Sequence, residues 1–202
     1  RVGVTPAGVH ALVAAGHEVQ VQSNAGAAIG LTNADYAAAG ARIVPDAQAV
    51  YECPLIVKVK EPQPAELAWL HENQVLFCYL HLAASLELTQ SLIKQKVIAV
   101  AYETVTDATD GLPLLVPMSE VAGRIAIQVG ANALHMANGG AGVLLGGVPG
   151  VAPGKVLVIG AGTVGTQAAR MSLGLGADVT ILDINLQRLR YLDDVFGPRL
   201  KT

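Results

Sequence analysis

Apolar and polar positions in the first half of the chain predict strands that alternate with helices. Three runs are continuously or alternately apolar, as buried strands of a parallel sheet are, at residues 55–60, 75–81 and 97–105. Such an alternation predicts right-handed crossovers and a parallel sheet. The other predicted elements are helices at 5–16, 33–39, 65–73 and 85–95 and short strands at 17–23 and 41–44.

The second half begins after a polar, proline-containing connection at residues 107–117, which shows no clear periodicity. Ser119 is a favourable N-cap residue, and the apolar positions after it predict a long helix over residues 119–136. A glycine-rich loop leads from this helix into the last elements. We therefore place a domain boundary near Pro117, which divides the chain into residues 1–117 and 118–202.

A glycine-rich turn after an apolar strand is the most informative motif of the chain. The strand at residues 155–159 runs into Gly160-Ala161-Gly162-Thr163-Val164-Gly165, and a helix-compatible segment follows. The first glycine of such a turn permits a tight bend, the second lets the backbone approach a pyrophosphate, and the third lets the helix pack on the sheet. N–H groups at the helix start can bind phosphate, so the motif predicts a Rossmann dinucleotide-binding domain. The alternative is an ordinary glycine-rich turn.

Asp183 supports the first interpretation because it ends the next strand, roughly 20 residues after the glycines, where a carboxylate can accept a ribose hydroxyl. The same carboxylate would repel a 2′-phosphate, which favours NAD over NADP as the cofactor. Arg188 follows in a predicted helix at residues 186–196. It either contacts the adenosine half of the cofactor or is a solvated helix arginine, and its position alone leaves both interpretations open.

Composition narrows the class of protein further. A chain of 202 residues can form one large domain or two small ones, and 52% apolar with 14% charged residues suits sheets covered by helices. The net charge of −3 and the lack of a basic stripe give no indication of nucleic-acid binding. Residues 125–154 carry no charged side chain, but polar residues and glycines interrupt them, so they fall short of the roughly 20 apolar residues of a membrane span. Cys53 and Cys78 lie in or beside apolar runs, as reduced core cysteines of a cytoplasmic protein do.

Polar side chains mark the ends of the predicted strands in the first half. Lys60 ends one strand, His81 ends the next, and Tyr102 and Glu103 lie near the end of the third. Ligands of open parallel sheets bind beyond the carboxyl ends of the strands, so we expect these side chains at one rim. Arg1 precedes the first helix, and we expect it to follow a strand outside this chain and to reach the same rim.

These residue types suit chemistry on a small acid. Arg1 could clamp a carboxylate through two hydrogen bonds, and Lys60 could hold the same group or polarise a carbonyl. His81 could transfer protons near neutral pH, so the set favours hydride transfer at the α-carbon of a 2-amino or 2-hydroxy acid. Lys60 and His81 also have ordinary interpretations: a solvated charge for Lys60 and a hydrogen bond to a nearby carbonyl for His81. Glu103 could be a metal ligand, but the sequence shows no second ligand.

Several segments resemble the alanine dehydrogenase family, which also includes pyridine nucleotide transhydrogenases. In chain order they are RVGVTPAGV, VKVKEP, YLHLAAS, AYETV, PMSEVAGR, GGVPGV and VIGAGTVG with LDIN, and they span essentially the whole sequence. The resemblance implies an α/β chain with two doubly wound parallel-sheet domains, a flavodoxin-like substrate domain and a Rossmann NAD-binding domain. The family has a strand before Arg1 and a further C-terminal part, so we expect both domains to be incomplete here and the chain to be a fragment.

The resemblance further implies an NAD-dependent enzyme that interconverts L-alanine with pyruvate and ammonia. It implies that Arg1 and Lys60 bind the substrate, that His81 is the catalytic acid/base, and that a second catalytic aspartate falls beyond Thr202. Family members are typically homohexamers, and we expect a cytoplasmic enzyme without metal, nucleic-acid or membrane partners. Contacts to NAD are implied at Ser119, Thr163, Val164, Asp183 and Arg188, beside the glycines Gly160, Gly162 and Gly165.

Three alternatives stay open at this point. The NAD(H)-binding component of a membrane proton-translocating transhydrogenase is related but binds no small acid, and His81 and the lysine of VKVKEP favour the dehydrogenase. A saccharopine-type dehydrogenase of the lysine pathway shares the layout but should match these motifs less closely. A regulatory relative that only senses NAD is the third, because the catalytic aspartate is not in view.

Overall fold

The chain forms two compact units, one that ends at Leu112 and one that begins at Pro113. The computed structural model describes residues 2–202, so the substrate-binding role predicted for Arg1 lies outside the described residues. Most of the connection at residues 107–117 is irregular, as expected, until a helix begins at Val116. Each unit is an α/β structure with its own core, and each is described separately below.

Local capping signals start the helices of the first unit. The Thr5 hydroxyl accepts the Gly8 N–H at 3.4 Å, and Thr32 and Asp35 form a reciprocal capping box. In chain order the helices and strands are α1 (Pro6–Ala14), β1 (Gln20–Gln22), α2 (Asn33–Ala38), β2 (Arg42–Val44), α3 (Ala47–Val50), β3 (Leu55–Val57), β4 (Val75–Cys78), α4 (Leu86–Gln95) and β5 (Ile98–Ala101). Short 3₁₀ helices connect several of them, and α3, which Asp46 caps, was not predicted.

All strand pairs of the first unit are parallel, which confirms the predicted α/β class. Strands β1 and β2 form a two-stranded sheet, and β3, β4 and β5 form a three-stranded sheet with β4 in the centre. The core of the second sheet packs β4 against α4 through buried apolar side chains. Its fully or almost fully buried members include Ile56, Leu76, Cys78, Leu80, Leu88 and Leu92.

The strands of this sheet are shorter than predicted. Strand β3 ends at Val57 rather than at residue 60, β4 at Cys78 rather than at 81, and β5 at Ala101 rather than at 105. Backbone bonding to the β4 side continues as far as Val59, whose carbonyl oxygen accepts the Tyr79 N–H at 3.1 Å, and Pro62 and Pro64 beyond it have no N–H donors to extend the pairing. After β4, His81 adopts the left-handed conformation with φ of 50°, which no strand accommodates. Lys60 and His81 therefore lie in loops beyond the strands.

The helix predicted over residues 65–73 is also wrong in type, because the segment is a 3₁₀ helix, Pro64–Trp69. Glu66 stabilises this 3₁₀ helix: its carboxylate accepts the Gln63 N–H at 2.6 Å and forms an ion pair with Lys58. The helix ends at Leu70, which is buried and has an extended backbone with ψ of 145°. The chain then continues to β4.

The second unit contains a β-α-β-α-β arrangement that follows a long helix. Its elements are α5 (Val116–Ala133), β6 (Lys155–Ile159), α6 (Thr163–Gly174), β7 (Asp178–Leu182), α7 (Leu186–Phe196) and β8 (Leu200–Lys201). The three strands pair in parallel in the order β6-β7-β8, as in a mononucleotide-binding half of a Rossmann fold. Val179 and Ile181 of the central strand are fully buried against α6 and α7.

Ser119 does not cap α5, and that prediction is wrong. The helix starts at Val116, with Leu115 as its N-cap residue and Pro117 in the first turn. A proline is well placed there, because its fixed φ suits a helix and its missing N–H would have no partner in the first turn. Ser119 therefore lies inside the helix and is half-buried.

The uncharged stretch and the cysteines can now be placed. No helix within residues 2–202 combines the length and the apolar character that crossing a bilayer requires.

Cys53 is half-buried and Cys78 is buried, and both are free thiols. Burial raises the pKa of Cys78 to about 12, so this thiol stays protonated and behaves as a small apolar core residue.

Candidate functional site

The loops after β3 and β4 carry Lys60 and His81 to the same edge of the three-stranded sheet. These loops stay aligned beyond the strands, because the Tyr79 N–H donates to the Val59 carbonyl oxygen at 3.1 Å. Both Lys60 and His81 are exposed, and each follows the carboxyl end of its strand. The position agrees with the rule that open parallel sheets bind ligands at this edge.

The two lysines of VKVK have different roles in the structure. Lys58 is mostly buried, and its Nζ donates to Glu66 Oε2 at 2.5 Å and to the Tyr51 hydroxyl at 3.3 Å. Lys60 is 46% exposed and has a looser ion pair with Glu61, at 3.4 Å. Lys58 therefore stabilises the fold, whereas the ammonium group of Lys60 remains accessible to a ligand.

Glu61 is a charged neighbour that sequence reasoning missed. Its Oε2 is buried and has no hydrogen-bond partner among the described residues, although it lies 3.4 Å from Lys60 Nζ. Burial opposes its charge, but its own backbone N–H, Lys60 and His81 outweigh burial and lower the pKa of Glu61. A carboxylate directly after a candidate substrate-binding lysine was the signal available in the sequence.

Aromatic rings and backbone contacts hold His81. Its ring stacks on Tyr79 with centroids 6.1 Å apart, and Tyr79 in turn meets Tyr102 edge-on at 5.0 Å. The His81 N–H donates to Glu103 Oε1 at 2.7 Å, and the Leu80 N–H donates to the same oxygen at 3.0 Å. Both ring and backbone of the predicted acid/base are therefore fixed by residues that directly follow β4 and β5.

Glu103 is thus engaged with backbone rather than placed as a metal ligand. Within the part of the chain that the structure describes, no group of three or more His, Cys, Asp or Glu side chains could hold a metal ion. The carboxylate instead accepts N–H groups from the loop after the neighbouring strand. The metal-ligand interpretation of Glu103 has no structural support.

In the second unit, the glycine-rich turn has the backbone that its sequence predicted. Gly160 has φ of 97°, which only glycine adopts readily, and the turn follows β6 directly. A Cβ on Gly165 would lie 1.8 Å from the Gly160 carbonyl oxygen, so α6 can approach the turn this closely only with glycine there. A Cβ on Gly162 would meet open space, which leaves room outside the turn for a ligand.

The residues predicted to contact a dinucleotide largely meet in one cleft of the second unit. Gly162 is the N-cap of α6, so the first N–H groups of this helix, which have no partner within the helix, open into the cleft. Ser119 reaches it from α5, since Gly123 of α5 packs directly on the Val164 carbonyl. The cleft of about 360 Å³ is lined by Ser119, Val158, Ile159, Gly160, Gly162, Thr163, Val164, Gly165 and Ala168.

Asp183 and Arg188 are not among the residues that line the cleft, and both bind the backbone of the turn at Ala161. Asp183 Oδ2 accepts the Ala161 N–H at 2.5 Å, and Oδ1 accepts the Asn185 N–H at 2.8 Å. These two N–H donors lower the pKa of Asp183, so the carboxylate stays ionised. Each oxygen keeps further lone pairs for a ligand hydroxyl.

Arg188 is more engaged than either sequence interpretation suggested. Its Nε donates to the Ala161 carbonyl oxygen at 2.8 Å and its Nη2 to Thr166 Oγ1 at 2.9 Å, while the guanidinium lies 4.7 Å from the centre of the Tyr191 ring. Arg188 therefore braces the glycine-rich turn, and a contact to NAD stays a prediction. Thr166, which also donates to Ala161, was missed because a buried helix threonine carries no distinctive sequence signal.

We expect Gly165→Ala to destabilise the protein, with Gly174→Ala of the same helix as the matched control. The added methyl group at Gly165 must displace the Gly160 carbonyl, whereas a Cβ at Gly174 meets nothing within 4 Å. Overpacking of this kind typically lowers the free energy of unfolding by about 1–3 kcal/mol. Urea unfolding of the full-length gene product measures the difference between the two variants. Equal stability of the two variants would contradict the close packing of turn and helix.

Comparisons with known proteins agree with this geometry. The sequence model for the N-terminal domain of the alanine dehydrogenase/PNT family matches residues 1–122, and the C-terminal domain model matches residues 126–202. Alanine dehydrogenase 2 of Staphylococcus aureus (strain USA300) is 56% identical over 202 residues, which are 100% of this chain and 54% of the relative. The chain therefore spans about half the length of that relative.

Two solved structures extend the likeness to three dimensions. An L-alanine dehydrogenase superposes with a TM-score of 0.91 at 52% identity, over 100% of this chain and 56% of the other. A transhydrogenase from Sinorhizobium meliloti superposes with a TM-score of 0.79 at 23% identity, over 100% of this chain and 57% of the other, and shows a shared fold. The chain belongs to the alanine dehydrogenase/pyridine nucleotide transhydrogenase family.

Proposed function

We propose that the full-length gene product is an NAD-dependent L-alanine dehydrogenase. The observation that carries the proposal is the 56% identity to an alanine dehydrogenase over every residue of this chain. The accessible pair of Lys60 and His81 beyond neighbouring strand ends supports it, because these are the groups that a small acid requires. In this proposal residues 1–117 belong to the substrate domain and residues 118–202 to the NAD-binding domain.

NAD fits the residues of the second unit. The open space outside Gly162 and the free N–H groups of α6 suit a pyrophosphate, and Thr163 and Val164 would present two of those groups. The ionised Asp183 would accept ribose hydroxyls and repel a 2′-phosphate, which favours NAD over NADP. Ser119 would contact the cofactor from α5, and Arg188, which binds the turn at Ala161, would contact NAD from there.

The substrate would be held by its carboxylate and handled through His81. Lys60, together with Arg1, would bind the carboxylate, which orients the α-carbon of alanine. When bound, NAD supplies the hydride acceptor. His81 would take a proton from the water that attacks the resulting iminium and return a proton to the departing amine. Alanine, NAD⁺ and water thus give pyruvate, ammonium, NADH and one proton, with the second catalytic aspartate of the family expected beyond Thr202.

The transhydrogenase alternative is weaker on these comparisons. Identity to the solved transhydrogenase is 23%, against 52% for the solved L-alanine dehydrogenase over the same full chain. A cytoplasmic location is also proposed, on the basis of two free cysteines, as is a homohexameric assembly, on the basis of family resemblance. The partners would be small molecules: L-alanine, pyruvate and ammonium.

The proposal is tested by the formation of NADH when the full-length gene product is mixed with NAD and L-alanine, with other L-amino acids and NADP as comparisons. Activity confined largely to alanine and NAD would support it. NADH binding without turnover of any amino acid would contradict it and would favour a transhydrogenase component or a sensor of NAD.

Replacing His81 should abolish proton transfer while cofactor binding persists. For His81→Ala, and for His81→Asn, which tolerates the left-handed backbone, we expect kcat to fall by about 10²–10⁴-fold. NADH binding, measured by fluorescence, should stay unchanged, since the NADH site is in the second unit. The exposed His10 provides the control variant His10→Ala. Unchanged turnover of both His81 variants would exclude the catalytic role.

Replacing Lys60 should chiefly weaken substrate binding. Loss of a charge-assisted hydrogen bond is expected to raise KM for alanine by about 10–100-fold in Lys60→Ala. Lys94→Ala, in the exposed face of α4, serves as the control for loss of one positive charge. Initial rates over a range of alanine concentrations separate KM from kcat. An unchanged KM would contradict the assignment of Lys60 to substrate binding.

Removing the charge of Asp183 should alter the choice of cofactor. In Asp183→Asn we expect NADH binding to weaken by about tenfold, while NADPH binding improves relative to NADH because repulsion of the 2′-phosphate is lost. Asp183 also accepts the Ala161 N–H, so damage to the turn alone would weaken the binding of NADH and NADPH equally. The ratio of the two dissociation constants therefore tests the charge, with the exposed Asp194→Asn as control.

A further inference from the structure

We propose that Glu103 is a positioning residue, whose carboxylate holds the backbone of the His81 loop in a left-handed turn and thereby places the imidazole. The inference rests on the proposed function, in which His81 is the acid/base. It assigns to Glu103 a role through the backbone of another residue, without contact to substrate or cofactor.

The first observation is a pair of successive N–H groups that converge on one carboxylate. The N–H groups of Leu80 and His81 donate to Glu103 Oε1 at 3.0 and 2.7 Å, and the Leu80 N–H also approaches Oε2 at 3.3 Å. Successive N–H groups next to a left-handed residue form a concavity that binds anions. Here the protein supplies the anion itself, from the 3₁₀ turn that follows β5.

The second observation is the backbone conformation of His81. Its φ of 50° and ψ of 40° place a histidine in the left-handed region, which is unfavourable for a residue with a Cβ by about 1–2 kcal/mol. Such a conformation persists only where the surroundings determine it. The contacts of the His81 N–H and the Leu80 N–H with Glu103 supply that determination, because each is a hydrogen bond to a charged acceptor.

The third observation is the state of the carboxylate. Burial opposes the charge of Glu103, yet the backbone N–H groups of His81, Glu103 itself and Leu80, with the His81 side chain, together outweigh burial and lower its pKa. Glu103 is therefore ionised whenever the protein is near neutral pH. The charge that holds the turn does not vary over the range in which a histidine commonly titrates.

The ring contacts show why the turn matters for the side chain. With the backbone in this conformation, the imidazole stacks on Tyr79 at an interplanar angle of 13°. Tyr79 meets Tyr102, the residue before Glu103, edge-on at 5.0 Å. The backbone of His81 and the support of its ring thus both depend on the segment after β5.

The test compares Glu103→Ala and Glu103→Gln with wild type in the full-length gene product, with the exposed Glu87→Ala as control. Misplacement of a catalytic group by about 1 Å can reduce turnover by about 10²-fold, so we expect kcat to fall by about 10–100-fold in Glu103→Ala, with NADH binding unchanged. Glu103→Gln, which retains one acceptor oxygen, should fall between Glu103→Ala and wild type. Formate or acetate, added to Glu103→Ala, should restore part of kcat by replacing the missing carboxylate.

A second measurement does not depend on alanine turnover. Hydrogen exchange of the Leu80 and His81 amides should be at least about tenfold faster in Glu103→Ala than in wild type, because both lose a charged acceptor. Unchanged exchange would overturn the proposal even if the enzyme oxidised no alanine. The proposal would also be overturned if kcat, NADH binding and thermal stability all fell and small carboxylates restored none of them, because this result would indicate general misfolding. If Glu103→Ala fails to fold, the same readouts apply to Glu103→Gln.

Discussion

One interaction recurs in both units, and the candidate sites depend on it: a carboxylate after one parallel strand binds N–H groups in the loop after the neighbouring strand. In the first unit, Glu103 follows β5 and holds the loop after β4. In the second unit, Asp183 follows β7 and holds the turn after β6 at Ala161. Because parallel strands end at the same edge, a short acidic side chain there can reach the next loop without a long connection. In both cases the N–H donors keep the carboxylate ionised.

The two carboxylates differ in what remains free for a ligand. Asp183 divides its oxygens between two N–H donors, and each oxygen keeps a lone pair that the proposed function assigns to a ribose hydroxyl. Glu103 directs its Oε1 to two N–H groups of one loop, and in our proposal the chemistry belongs to His81, whose backbone it holds. A sequence shows both only as acids near strand ends. The distinction between binding a ligand and positioning a neighbour requires the geometry of the loops.

Sequence patterns predicted the parts of the fold that local physics decides. The helices predicted from residues 5, 33 and 85 are present, and the structure shows side-chain caps at Thr5, Thr32 and Ser85. Strand β6 with its glycine turn follows from an apolar run and from the conformations that Gly160 and Gly165 allow. Strand ends were predicted too late, because the apolar and alternating patterns continue into residues 58–60, 79–81 and 102–105, which lie outside the strands. The start of α5 was missed since a proline in the first helical turn resembles a breaker. Glu61 directly follows Lys60 and could have been found from the sequence. The contacts of Arg188 with Ala161 and Thr166 join residues far apart in the sequence, and no local pattern indicates them.

The lysines of VKVK show how the fold separates structure from binding within three residues. The pair of Lys58 with Glu66 is short and largely shielded, and the Tyr51 hydroxyl accepts a further bond from the same ammonium, so displacing it would leave two polar groups unmatched. The pair of Lys60 with Glu61 is longer and more exposed, and such pairs contribute only about 0–1 kcal/mol to stability. In the proposed function, Lys60 could therefore exchange Glu61 for a substrate carboxylate at little cost to the stability of the fold. Glu61 stays ionised beside Lys60, because its own backbone N–H, Lys60 and His81 outweigh burial and lower its pKa. The proposed carboxylate site therefore contains one negative charge next to its positive one.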